Sequence, residues 1–170
     1  MKSAVAKWEV VTEKAADCRV VVKAVLAGME KHREVADVQR YGCKAIENLA
    51  ARTQSQRQIV AKANAVQIML KGCKVHPEDV ELHSFACHAL AVMAGDDAKM
   101  HEHVTQMSGS IYMMGILDKH HTNANLTGNV LRLLANLSLT DVVRAYIFKK
   151  GAVTLVIRGL KEHSEDVDVQ

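Results

Sequence analysis

The chain has 170 residues and a formal charge of +3; it is 49% hydrophobic and 24% charged, with one Pro and only 4% aromatic residues. It is long enough to bury a sizeable core, and so small a charge does not by itself announce nucleic acid or an anionic membrane. No run of 18 apolar residues occurs and the first thirty residues lack a secretory h-region with its cleavage site, so the expectation is an intracellular, cytoplasmic protein, with the nucleus also open.

The first predicted element is an amphipathic helix over residues 3–16, with Ala4, Val5, Trp8, Val11 and Ala15 at helical spacing. It reads either as the tail of a preceding unit or as a helix capping the row, with Trp8 in the seal. The next helix runs from Val20 to His32. Its pattern returns in NAVQIMLKGCKVH ending at His76, GSIYMMGILDKH at His120 and GAVTLVIRGLKEH at His163, at intervals of 44, 44 and 43. Val25, Met69, Met113 and Val156 share one slot of this helix, and Leu26, Leu70, Met114 and Ile157 another, which makes a core stripe. A donor or cation at a helix C-terminus complements the dipole and bonds the last carbonyls, so the four His residues read as capping positions.

A longer helix follows over residues 33–51 and returns at 77–95 and 121–139. Val38, Leu82 and Leu126 hold one slot, Ile46, Leu90 and Leu134 a second, and Leu49, Met93 and Leu137 a third. Pro77 is expected in the first turn of the second copy, with Glu78 and Asp79 at its positive end. Between the long helix and the next His-terminated one lies a short unit, at 53–64, 96–108 and 140–151, kept in register by Val60, Val104 and Ile147. Asn64, Ser108 and Gly151 occupy its last slot, where a small or αL-tolerant residue lets one helix stop and the next start at a sharp angle. Residues 164–170 reproduce the opening of the long helix, with Ser164 as its expected N-cap, and so read as the start of a further repeat in a piece of a longer protein.

Four cysteines could suggest a disulfide frame or a metal site, but no two lie two to four residues apart. Cys43 and Cys87 fill the slot that Leu131 fills in the third copy, and Cys73 fills that of Met29, Leu117 and Leu160. The expectation is reduced, buried thiols standing in for core residues. His101 with His103 and His120 with His121 are the dense imidazole clusters, yet no carboxylate or Cys recurs beside them at ligand spacing and no Gly-rich phosphate loop occurs. A non-enzyme without cofactor or metal follows as the reading.

Self-similarity at one interval is the mark of stacked repeats, each burying its apolar face only against its neighbours. A period of 42 to 44 residues resembles the armadillo repeat, through GAV at 151–153 and NAV at 64–66 opening the second helix, and VQRYGCKAIENLA (38–50), LHSFACHALAVMA (82–94) and LTGNVLRLLANLS (126–138) as the long third helix. The resemblance implies an all-α, right-handed α-solenoid of three-helix repeats: a partial repeat at 1–32, repeats at 33–76, 77–120 and 121–163, and a further start at 164–170. Two-helix HEAT repeats are the alternative fold. It also implies that the long helices line a concave groove holding an extended peptide. The slot that holds Trp in importin-α-like repeats is Lys44, His88 and Arg132 here, and the Asn slot is Asn48, Val92 and Asn136. No Trp is kept, so recognition of nuclear-localisation peptides is not carried over.

The residues add a charge argument of their own. Lys44, His88 and Arg132 recur on one face, with Asn48 and Asn136 four residues on and Arg40 four residues before. Arg40, Lys44, Asn48, Ser84, His88, Val92, Arg132 and Asn136 are therefore the expected groove, and its expected partner is an extended acidic segment of another protein. No membrane partner is implied, self-association through exposed repeat ends stays open, and the other readings are an assembly solenoid without a groove or a weak single-stranded nucleic-acid binder. The scattered aromatics Trp8, Tyr41, Phe85, Tyr112, Tyr146 and Phe148 argue against the last.

Overall fold

A computed structural model of the chain describes residues 15–166. The helix expected over 3–16, with Trp8, and the slot matches at 167–170 lie outside these residues, apart from Ala15 and Ala16, which open the first helix. Ten α-helices and no strand occur among the described residues. They are α1 (Ala15–Lys31), α2 (Ala36–Arg52), α3 (Gln54–Lys62), α4 (Ala65–Val75), α5 (Val80–Ala94), α6 (Ala98–Gln106), α7 (Gly109–Lys119), α8 (Ala124–Leu137), α9 (Asp141–Lys149) and α10 (Ala152–Glu162). After α1 a fixed order recurs. The long helices α2, α5 and α8 have 17, 15 and 14 residues, the short α3, α6 and α9 have 9 each, and α4, α7 and α10 have 11 each.

The boundaries have local causes. Asn64 and Ser108 sit at φ 60° and Gly151 at φ 95°, so each short helix stops where one residue turns left-handed and the next helix leaves at an angle. Thr53, Asp97, Asp79 and Asn123 accept backbone N–H bonds as N-caps. Asp79, not Pro77, opens α5: Pro77 lies in the turn before it, because the Asp79 carboxylate takes the Leu82 N–H at 2.9 Å. Ser164 likewise lies in a turn, and Asp166 holds the slot of Val35, Asp79 and Asn123.

The long helices lie side by side, α2 against α5 and α5 against α8, while α1 packs on α4 and α7 on α10. Val22, Ile46, Met69, Leu90, Met93, Met113, Leu133 and Leu137 are all buried in one continuous core. The four cysteines are buried and free; burial pushes the Cys43 thiol up to about 12, so it stays protonated at neutral pH.

One slot of the long helix was not singled out by its apolar pattern. Gln39, His83 and Thr127 stand 44 residues apart and are all buried. Gln39 Nε2 donates to the Met29 carbonyl at 2.9 Å and the His32 carbonyl at 3.1 Å, closing the open end of α1. Thr127 Oγ1 donates to the His121 carbonyl at 3.2 Å, and His83 Nε2 lies 3.1 Å from the Tyr112 hydroxyl. His76, His120 and His163 hold the C-cap positions expected of them, each donating its backbone N–H to a carbonyl of the last turn, and two of the rings add a contact beyond the helix end. His76 Nε2 reaches the Arg33 carbonyl and His163 Nε2 the His121 carbonyl, both at 2.8 Å, in the turn after the preceding His-terminated helix. The backbone bends at these residues, so the ring points across to the neighbouring unit and ties two units together. His120 makes no such bond through Nε2.

Burial holds the His83 imidazole below its usual value, against the smaller opposing pull of the Cys73 carbonyl and Asp79. A His whose folded pKa is depressed binds fewer protons folded than unfolded, so its contribution is intact above pH ~6.5 and is lost as pH falls from there through the folded value. Melting temperature should therefore fall between pH 7 and 5. His83→Gln, which places the donor that Gln39 uses in the same slot, should flatten that slope in a pH series of thermal melts.

Candidate functional site

The exposed side of the α2, α5 and α8 row carries three of the expected residues in one slot. Lys44 and Arg132 are exposed and His88 is half-buried between them. The three line one concavity of about 530 Å³, together with Glu47, Phe85, Asn125, Gly128, Asn129 and Asp166. Three long helices build it, because the 44-residue interval puts one slot of each on the same face; Ala124 and Gly128 leave the α8 wall without bulk.

Inside the concavity the charges are already ordered. The Lys44 ammonium sits 4.7 Å from the centroid of the Phe85 ring, a cation–π contact that carries it from α2 onto α5. Glu47 Oε2 lies 3.4 Å from His88 Nδ1, and Arg132 Nη1 lies 3.3 Å from His88 Nε2. A carboxylate, an imidazole and a guanidinium thus run in line across α2, α5 and α8. Asn129 Nδ2 donates to Ser84 Oγ at 2.8 Å and to Asn125 Oδ1 at 3.2 Å on the same wall.

Other expected groove residues have tasks within the chain. Arg40 is engaged by Asp79: Nε lies 3.1 and 3.0 Å from the two carboxylate oxygens and Nη2 lies 2.8 Å from one of them, with Asp37 at 2.9 Å. Burial pushes the Asp79 carboxyl up, but the Arg40 guanidinium and the Leu82 N–H outweigh it and hold it below the usual carboxylate range. Arg40 therefore clamps α2 to the cap of α5, and its fork is not open to a partner. Asn136 Nδ2 donates to the Ala91 carbonyl at 2.8 Å, so it holds the α5 backbone. Ser84 is buried and Val92 half-buried; Asn48 is exposed.

The groove expected from the sequence, residues 40–48, 84–92 and 128–136, contains Glu47, Phe85 and Asn129 without singling them out, and leaves out Asn125 and Asp166. A signal existed for Phe85, since Tyr41 stands 44 residues earlier in the same slot, so two of the aromatics do recur by repeat. Glu47 has Ala91 and Ala135 in its slot and left no such trace. Among the described residues no three His, Cys, Asp or Glu side chains gather to hold a metal ion, and no helix is long and apolar enough to cross a membrane. No known protein family, curated protein or solved structure matches the chain. The site is therefore read from its own residues.

Proposed function

We propose that this chain is an armadillo-type α-solenoid that acts as a protein-interaction scaffold and holds an extended acidic segment of another protein along the exposed side of α2, α5 and α8. The carrying observation is that Lys44, His88 and Arg132, one slot in three successive units, line a single concavity of about 530 Å³. The recurring order of short, intermediate and long helices supports the three-helix repeat over the two-helix alternative. Arg132 offers a planar fork suited to a bidentate carboxylate contact, and Lys44 a point charge. Asn125 and Asn129 amides on the same wall, with the exposed Asn48, supply donors and acceptors for the backbone of the bound segment. Glu47 and Asp166 at the same concavity narrow the fit to a segment with spaced carboxylates, since a dense acidic run would meet them too.

Exposed charge pairs contribute about 0.2–1 kcal/mol each, so affinity comes from several in register and falls with salt. The double reversal Lys44→Glu with Arg132→Glu removes two such pairs and adds repulsion, and is expected to weaken binding of the natural partner about tenfold or more. Both side chains are exposed, so circular dichroism should stay unchanged. Unaltered affinity in the folded variant would move the binding surface elsewhere on the molecule.

A further inference from the structure

We propose that filling the groove with an acidic segment is coupled to the uptake of one proton by His88. The inference rests on the groove reading above and specifies how that site is regulated. Its basis is the line Glu47, His88, Arg132. Arg132 is a donor at every accessible pH, so His88 Nε2 can meet Nη1 at 3.3 Å as an acceptor only when it carries no proton. With Nε2 as the acceptor, the ring proton sits on Nδ1, the nitrogen 3.4 Å from Glu47. In the empty groove Arg132 is thus parked on a neutral imidazole.

An incoming carboxylate competes for the Arg132 fork and offers it a full negative charge in place of a lone pair. When Arg132 turns to the segment, His88 Nε2 loses its donor. The nitrogen then takes a proton from solvent and becomes a second cation for the segment, while Glu47 on the opposite side favours the charged ring. The charged groups facing His88 are Lys44 and Glu47 from α2 and Arg132 from α8, with Asp166 on the wall of the same concavity. Lys44 stays on the Phe85 ring, so its repulsion is present in both states, whereas the Arg132 repulsion is lifted by the ligand. Binding therefore raises the proton affinity of His88, and by linkage a fall in pH raises the affinity for the segment.

The test is calorimetric titration of the protein with an end-blocked peptide of alternating Asp and Ser, from pH 8 to 5.5, in two buffers of different ionisation enthalpy. The carboxylates of this probe stay ionised throughout, an Asp titrating near ~3.9. Uptake near zero at pH 8 should pass through a maximum of at most one proton per peptide as pH falls, and decline again once the free protein is itself protonated, with Kd tightening by at most about tenfold per pH unit, the limit for one linked proton. His88→Gln keeps an acceptor and a donor in the slot and should bind with no linked proton. Binding without uptake, or uptake that persists in His88→Gln, overturns the inference and leaves the groove reading standing. Absence of binding at every pH overturns both.

Discussion

Leu90→Ala is expected to lower the stability of the chain by about 2–5 kcal/mol, the range for truncating a fully buried leucine when the cavity does not collapse. Leu90 is 0% exposed on α5, and α5 packs against α2 on one side and α8 on the other. Helices fixed from both sides have little freedom to close a void. In a row of units, stability is close to a sum of unit and neighbour terms, so weakening the central member also uncouples the two ends. Urea unfolding should show a lower midpoint together with a broader or split transition. Ile157→Ala supplies the contrast: the same core slot as Leu70 and Met114, but 48% exposed on α10, with a cost well below that of Leu90. Equal losses at the two sites would mean that burial does not grade this core.

The second large effect separates two glycines that the sequence treats alike. Gly28 and Gly72 stand 44 residues apart in one slot of α1 and α4. A Cβ at Gly72 would lie 2.3 Å from Gln39 Oε1, while one at Gly28 meets nothing within 4 Å. Gly72→Ala therefore drives the Gln39 amide off the Met29 and His32 carbonyls, and should cost about 1–3 kcal/mol, as for overpacking or for leaving buried polar groups unpaired. Gly28→Ala only gains helix propensity and should stabilise by about 0.4–1 kcal/mol. Opposite shifts in melting temperature check the pair. Two shifts of the same sign would show that the contact at Gln39 does not set the tolerance of this slot.

The helical frame was legible because its signal is repeated. A slot such as Ile46, Leu90 and Leu134 is read three times, and the left-handed corner at Asn64, Ser108 and Gly151 announces itself by chemistry as well as by interval. Polar junctions were harder, since each unit solves the same problem with a different residue. Gln39, His83 and Thr127 share no side-chain type, and only burial shows that they are one feature. Arg40 looked like part of the basic face because spacing records which face a residue is on, not what it reaches across the helix gap. Its carboxylate partner, Asp79, lies 39 positions away in another element. For the candidate site the basic slot itself was visible, but Glu47, whose carboxylate lies 3.4 Å from His88 Nδ1, occurs in one unit only.

The joints between neighbouring long helices share a backbone arrangement and differ in their polar contacts. Between α2 and α5 the contacts include Arg40 with Asp79, Lys44 over Phe85 and Glu47 with His88; between α5 and α8 they include Asn129 with Ser84, Asn136 with the Ala91 carbonyl and Arg132 with His88. Units that repeat one apolar pattern invite pairing with the wrong neighbour while the chain folds, because their apolar stripes are alike. These polar contacts work as addresses. A pairing slipped by one unit would set Arg40 against Asn123, the residue in the Asp79 slot, and leave the guanidinium without its carboxylate. The order of the units is thus written in the residues that vary between them, while the fold of each unit is written in those that recur.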